Sequence, residues 1–81
     1  MPLYAEESDP PVTAFAITPN DSNDLSIVTR CLWVGGSGNV RVLFANDTMP
    51  VTLNGASGLV PGQIRRVYAT GTTATNIVGM A

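Results

Sequence analysis

The sequence of 81 residues contains no histidine, no lysine and one cysteine. Without histidine or lysine, the chain lacks the most common general base, the amine of a Schiff base and the lysine of a phosphate-binding loop. The single thiol, Cys31, can form neither an internal disulfide nor a zinc site. It lies beside Leu32 and Trp33, so we expect it to be buried and inert. These gaps argue against an enzyme, and we expect no bound cofactor and no metal.

Charge is also scarce. Only 12% of the residues are charged, whereas about 25% is usual in soluble proteins. A net charge of −2 gives no basic surface for nucleic acid. No apolar run approaches the roughly 18 residues that span a bilayer, so we expect no membrane partner. The N-terminal residues lack the basic and apolar regions of a signal peptide, which predicts synthesis in the host cytoplasm.

The length makes self-association an expected source of stability. A chain of this size buries only about 60% of its unfolded surface when it folds. The hydrophobic gain then roughly equals the entropy lost on ordering the chain, so small domains usually need a disulfide, a metal or a partner subunit. The composition excludes an internal disulfide and argues against a metal site. We therefore expect other copies of the same chain as partners.

Beyond residue 11 the sequence alternates between short β-prone segments and turn residues. The β-prone segments predict six or seven strands, including residues 12–17, 25–34, 40–44, 49–53, 64–70 and 77–80. Turn residues fill 18–24, 35–39, 45–48, 54–55 and 58–62. No segment has the apolar periodicity of a helix. The predicted fold is all-β: a small antiparallel β-sandwich or barrel-like domain over residues 12–81.

Residues 1–11 form a separate region in this prediction, an extended N-terminal arm. Asp9 precedes Pro10 and Pro11, a combination that disfavours helix and favours extended backbone. The region is either a frayed terminus or an arm that lies on a neighbouring subunit. Deleting it separates the two alternatives.

Local patterns add details to this prediction. Pro50 cannot donate a ladder hydrogen bond, so the strand at 49–53 is expected at a sheet edge. Strict alternation over 64–70 predicts that Arg65 and Arg66 point to opposite faces.

The turn at 20–24 has two calcium-ligand residue types but lacks the rest of the loop pattern, so Asx turns explain it better. The glycine-rich 35–38 does not match a phosphate loop and predicts a flexible hairpin turn.

Six residues are candidates for contacts with other subunits or partners. Tryptophan and arginine are enriched where interfaces hold most of their binding energy, and the turn at 18–24 is a candidate exposed contact. The alternative for the tryptophan is a plain core position, and for the adjacent arginines one solvated and one partly buried side chain. The candidates are Trp33, Arg30, Arg65, Arg66, Asp21 and Asp24.

Several stretches occur in the same order in small phage proteins. They are residues 15–22 (FAITPNDS), 24–25 (DL), 29–35 (TRCLWVG), 40–42 (VRV) and 66–77 (RVYATGTTATNI). Across about residues 14–80 the chain resembles the spike-base proteins of gene transfer agents and related tailed phages. The resemblance implies a protein on the particle head that carries a fibre or spike.

The sequence therefore predicts a non-enzymatic virion structural protein, most specifically a head spike-base protein at a capsid vertex. It would form a ring or trimer and link the capsid protein to a fibre or spike protein. One alternative is a tail, baseplate or fibre-associated module that binds a host glycan through exposed aromatics such as Trp33, Tyr4 and Tyr68. A second alternative is an accessory enzyme or metal protein.

Overall fold

The computed structural model describes residues 10–81, and this part of the chain contains five β-strands and no helix. None of it therefore has the long apolar helix that crosses a bilayer. The strands are β1 (Ala14–Ala16), β2 (Cys31–Phe44), β3 (Val51–Pro61), β4 (Ile64–Val67) and β5 (Thr75–Met80). Residues 1–9, and with them most of the predicted arm, lie outside the described residues.

All strand pairs are antiparallel, and β2 is the centre of the sheet. The sheet order is β1-β5-β2-β3, and β4 also pairs with β2. The first part of β2 lies between β3 and β5, and its last residues lie between β3 and β4. The all-β class and the antiparallel sheet are confirmed, but residues 10–81 contain five strands, because β2 joins two predicted strands into one.

The core is apolar and is centred on three strands, β2, β4 and β5. Residues from both halves of β2 belong to the same cluster as residues of β4 and β5. The β2–β3 register shifts on either side of Gly38, and such bulges bend and twist a strand. The bend lets both halves of β2 line one interior. The cluster consists of Ile17, Leu32, Val34, Val40, Val42, Ile64, Val67, Ala74 and Ile77.

The prediction of a flexible turn at 35–39 was wrong, because these residues are the middle of β2. Residues 73–76 pass very close to them. A Cβ on Gly36 would collide with the Thr75 hydroxyl, and a Cβ on Gly38 would lie 2.8 Å from the Ala74 nitrogen. The glycines are needed here for close backbone approach rather than for a reversal of the chain.

Two other predicted boundaries were also wrong. Residues 25–30 do not form a strand, and β2 begins only at Cys31. Residues 54–55 do not reverse the chain but lie inside β3, where Gly55 has a φ of 65°. One extra β3 residue is accommodated there between the pairs Gly38–Ala56 and Val40–Leu53. The predicted edge position holds, because β3 is the last strand of the sheet.

The segment 18–30 covers the outer edge of β4. Backbone N–H groups of Asn20, Leu25 and Thr29 donate to carbonyls of β4 at 2.8, 2.7 and 3.1 Å. The Asn20 side chain accepts from the backbone of Ser22 and Asn23, which confirms an Asx turn. An irregular segment thus supplies hydrogen-bond donors to the backbone carbonyls on the outer edge of β4, which would otherwise be open.

Candidate functional site: an exposed apolar face and a polar clamp

A row of apolar side chains crosses the outer face of four strands. Trp33 on β2 is directly opposite Leu59 on β3 and Val78 on β5, and Val78 is opposite Ala16 on β1. Trp33 is 48% exposed and Leu59 is 59% exposed. The tryptophan is therefore not the core residue that the alternative interpretation required.

A second apolar row lies two residues further along the same strands. Cys31 is opposite Pro61 and Met80, and Met80 is opposite Ala14. Cys31 is buried, as expected. We call the two rows together the Trp33 face; it contains no charged residue. A shallow groove continues it to the corner of the domain, lined by Pro11, Val12, Thr13, Ala14 and Met80.

The opposite face of the same strands is also apolar. Leu32 and Val34, which alternate with Trp33, are 0% and 2% exposed, and Ile77 is 4% exposed. An antiparallel sheet with one face in water normally alternates apolar and polar side chains. This part of the sheet is apolar on both faces: one face lines the core, and on the other Trp33 and Leu59 remain exposed.

Charged side chains gather elsewhere, where the segment 18–30 lies on β4. Asp24 accepts hydrogen bonds from Arg65 Nη1 at 3.0 Å and from Arg66 Nε at 2.8 Å. Asp21 accepts from the Thr70 backbone N–H at 2.9 Å and from the Thr70 hydroxyl at 2.7 Å. We call these five residues the Asp24 clamp, because they hold the segment against β4 and against the turn that follows β4. Its members are Asp21, Asp24, Arg65, Arg66 and Thr70.

A β-bulge explains why both arginines reach one carboxylate. Leu43 pairs with Arg66 and Phe44 pairs with Ile64, so Arg65 is an extra residue on β4. The bulge breaks strict alternation: Ile64 and Val67, three residues apart, are both buried. The prediction that Arg65 and Arg66 point to opposite faces was therefore wrong.

The clamp holds its carboxylates in the charged form. The hydrogen bond from the Thr70 hydroxyl lowers the pKa of Asp21 below its ordinary value of 3.8. The hydrogen bond from Arg66 is the main cause that lowers the pKa of Asp24, and Arg65 adds to it. Both carboxylates are exposed to solvent, and at neutral pH both are ionised acceptors of the hydrogen bonds that hold the segment in place.

The arginines have further partners inside the chain. Arg65 Nη2 donates to the Asp47 carbonyl at 2.9 Å. The guanidinium groups of Arg41 and Arg66 lie 4.9 and 5.5 Å from the centre of the Tyr68 ring, within range of cation–π attraction. These contacts hold the side chains of the clamp in a defined arrangement at the surface.

The six sequence candidates thus fall into three places. Four of them, Asp21, Asp24, Arg65 and Arg66, belong to the Asp24 clamp, and Trp33 lies on the apolar face. Arg30 is exposed immediately before β2, and its backbone N–H donates to the Met80 carbonyl at 2.7 Å. Among residues 10–81, no three histidine, cysteine, aspartate or glutamate side chains gather in a way that could hold a metal ion.

Sequence reasoning missed the other members of the Trp33 face. Leu59 lies between glycine and proline residues, which favoured a bend and concealed a strand. Val78 belongs to a continuous apolar run, in which nothing distinguishes the outer from the inner side. The exposed positions could be recognised only once the register between β2, β3 and β5 was known.

Neither a protein-family model nor a curated protein matches the sequence. A search of solved structures gives a match over the whole chain, described as "Capsid of native GTA particle computed with C5 symmetry"; GTA denotes a gene transfer agent. The TM-score is 0.83 and the sequence identity 35%, with 100% of both chains covered. At this identity and coverage the protein belongs to the family of that capsid-particle component, and it is a virion structural protein.

Proposed function

We propose that the protein is a head spike-base protein, which forms a ring of its own copies on the capsid and links the shell to a spike or fibre. The observation that carries this proposal is the full-length match to a component of a gene transfer agent capsid. Because each chain covers all of the other, the matched component is as small as this one. A domain of only 38 × 26 × 20 Å suits an accessory position on a shell.

A vertex position is part of this proposal. The fivefold symmetry with which the matched capsid was computed applies to the whole particle and is compatible with a ring at a vertex. Homo-oligomers usually have closed point-group symmetry, and a ring is one such form. A ring of this protein at a vertex would match the local symmetry of the shell beneath it.

Two chemically different surfaces fit a linking role. The Trp33 face is apolar and uncharged, whereas the Asp24 clamp presents exposed carboxylates and guanidinium groups on a braced loop. Interfaces with different chemistry discriminate between different partners. We assign the exposed turn at 18–24, with Arg65 and Arg66, to contact with the capsid or fibre protein, and the mechanism is assembly rather than catalysis.

A particle reconstruction tests the position. Particles that carry this protein should show its density at head vertices, beneath a spike or fibre, and particles without it should lose that density and the fibre together. Density on the tail or baseplate contradicts the spike-base proposal. It would favour the alternative of a tail module instead.

The arm provides a second test. Deletion of residues 1–10 should lower the number of copies per particle, measured by quantitative mass spectrometry of purified particles, if the arm anchors the protein. The matched control is Asp9→Asn in the full-length chain, which should leave the copy number unchanged. Full occupancy after the deletion contradicts an anchoring role.

The exposed ring of Trp33 favours one alternative function, a glycan-binding tail module, and this alternative can be tested. Aromatic faces stack on sugars, so a glycan-binding tail module would bind host oligosaccharides through this residue. Titration of purified protein with host surface glycans should leave its tryptophan fluorescence unchanged under the spike-base proposal. Saturable quenching by one glycan supports the alternative.

A further inference from the structure

We propose that the apolar tip of the N-terminal arm, residues 1–5, docks on the Trp33 face of its own chain in the free protein. The inference goes beyond the spike-base role, because it concerns the chain before it meets other virion proteins. Trp33 and Leu59 are 48% and 59% exposed, although they are directly opposite each other on paired strands. Contiguous exposed apolar patches of this kind mark interaction sites.

The dimensions of the face fit an extended peptide rather than a globular partner. Its two rows lie about 7 Å apart, and its four strands span about 15 Å. A stable contact between globular proteins takes about 800 Å² from each partner, which is far more than this face provides. Five extended residues are about 17 Å long, so a segment such as residues 1–5 can cross all the strands of the face once.

The arm is attached at the corner of this face. The described chain begins at Pro10, and Pro11 and Val12 line the groove that continues the Trp33 face. Leu59, on the far strand, is about 20 Å from this corner, and residues 1–9 are about 30 Å long when extended. The tip can therefore reach the whole face. A short tether also keeps it at an effective concentration in the millimolar range, which favours it over partners free in solution.

The sequence of the arm matches both the face and its border. Residues 1–5 (MPLYA) have no charged side chain, so they can bury apolar surface on a face that also lacks charge. Between this tip and the folded domain the arm has three carboxylates, Glu6, Glu7 and Asp9. Arg30 is exposed immediately before β2, at the same end of the domain as the groove. A tip on the face leaves the carboxylates at this border, where the guanidinium group attracts them.

The fluorescence of Trp33 tests the contact, because Trp33 is the only tryptophan of the chain. The full-length double variant Leu3→Ser, Tyr4→Ser removes the two largest apolar side chains of the tip and leaves the folded domain unchanged. Its Trp33 emission should shift to longer wavelength, and acrylamide should quench it more strongly than in wild type. A synthetic peptide of residues 1–9 should reverse both changes at about millimolar concentration, which is the effective concentration that a short tether supplies.

Met49→Ser is the matched control for this measurement. It removes an apolar side chain that is 75% exposed but lies outside the Trp33 face, so both Trp33 signals should equal those of wild type. Circular dichroism checks that the control and the arm variant are folded. An arm variant with the emission and quenching of wild type overturns the proposal, and so does a change of the same size in Met49→Ser.

Disulfide crosslinking shows which chain supplies the tip. Leu3→Cys combined with Leu59→Cys in one full-length chain, treated with oxidised glutathione, should give a product that runs as a single chain on a non-reducing denaturing gel. Leu3→Cys with Met49→Cys should crosslink far more slowly, because Met49 lies about 30 Å from Leu59 along the direction of β3. The native Cys31 is buried. Linked pairs of chains as the main product place the tip on a neighbouring copy and overturn docking within one chain.

The outcomes separate this inference from the proposed function. An arm variant with unchanged Trp33 signals, combined with density at head vertices, overturns the docked tip and leaves the spike-base role intact. A Trp33 that the arm protects and a crosslink within one chain, combined with density on the tail, support the docked tip and contradict the spike-base role.

Discussion

Thr29 provides the most direct test of how the chain holds its segment 18–30 against β4. It is the one buried polar side chain among residues 10–81, at 1% exposure. Its hydroxyl accepts a hydrogen bond from the Ile64 backbone N–H at 3.2 Å and donates to the Gly62 carbonyl at 3.3 Å. The substitution Thr29→Val keeps the shape of the side chain and removes both bonds.

The expected cost follows from the environment of Ile64, which is 0% exposed. Its N–H cannot find water after the substitution, and an unpaired buried donor costs about 1–3 kcal/mol. For a domain of this size each kcal/mol lowers the melting temperature by about 4–8 °C. Thr29→Val should therefore melt at least about 4 °C below wild type.

The assay is thermal unfolding followed by circular dichroism at one fixed protein concentration, because any self-association contributes to apparent stability. Thr29→Ser is the control: it keeps the hydroxyl and loses one buried methyl group, which costs about 0.8 kcal/mol. Hydrogen exchange at the Ile64 amide should accelerate in Thr29→Val and stay slow in Thr29→Ser. A valine variant as stable as the serine variant, with a protected Ile64 amide, would refute this reasoning.

Three further predictions concern the clamp, the close strand approach and the core. Because the folded-state pKa values of Asp21 and Asp24 lie below 3.8, the unfolded chain binds more protons in acid. The urea midpoint should therefore be constant above pH 5 and should decrease as the pH drops below about 4. The decrease should be smaller in the double variant Asp21→Asn, Asp24→Asn, and an equal decrease in both proteins counts against the clamp. Gly36→Ala, which sets a methyl against the Thr75 hydroxyl, should cost about 1–3 kcal/mol, and unchanged thermal stability would contradict the close approach. Ile64→Ala should cost about 2–5 kcal/mol in urea unfolding, and a loss below 1 kcal/mol would mean that this site is not the centre of the core.

The class of fold could be predicted from the sequence because it depends on local chemistry. Strand-forming residues, turn residues and the absence of helical periodicity all indicate an antiparallel all-β domain. The edge position of β3 followed from Pro50 in the same way. These features need no knowledge of which strands meet.

The strand boundaries could not be predicted, because glycine has two uses. Residues 35–38 look like a hairpin turn, but Gly35, Gly36 and Gly38 are glycines so that residues 73–76 can pass close by. A sequence shows the glycine and not the neighbour that requires it. The same ambiguity at Gly55 concealed an extra residue within a strand.

The candidate site was predicted in part. Trp33 was singled out by residue type, and its exposure agrees with a contact role that is still a prediction. Its neighbours Leu59 and Val78 depend on register, which is a long-range property. The pairing of Asp24 with Arg65 and Arg66 spans 41 and 42 residues, and it depends on a bulge that no local pattern reveals.

The hydrogen bonds between residues 12–13 and Ala81 have a mechanical consequence. Val12 and Thr13 donate to the Ala81 carbonyl, and Ala81 donates back to Thr13, so the two ends of the domain lie side by side at the outer strand pair. Tension applied between these ends would peel β1 from β5 one pair of bonds at a time, which is the weak direction of a sheet. A pull on the two ends would therefore separate β1 from β5 before it disturbed the pairing of β2 with β3.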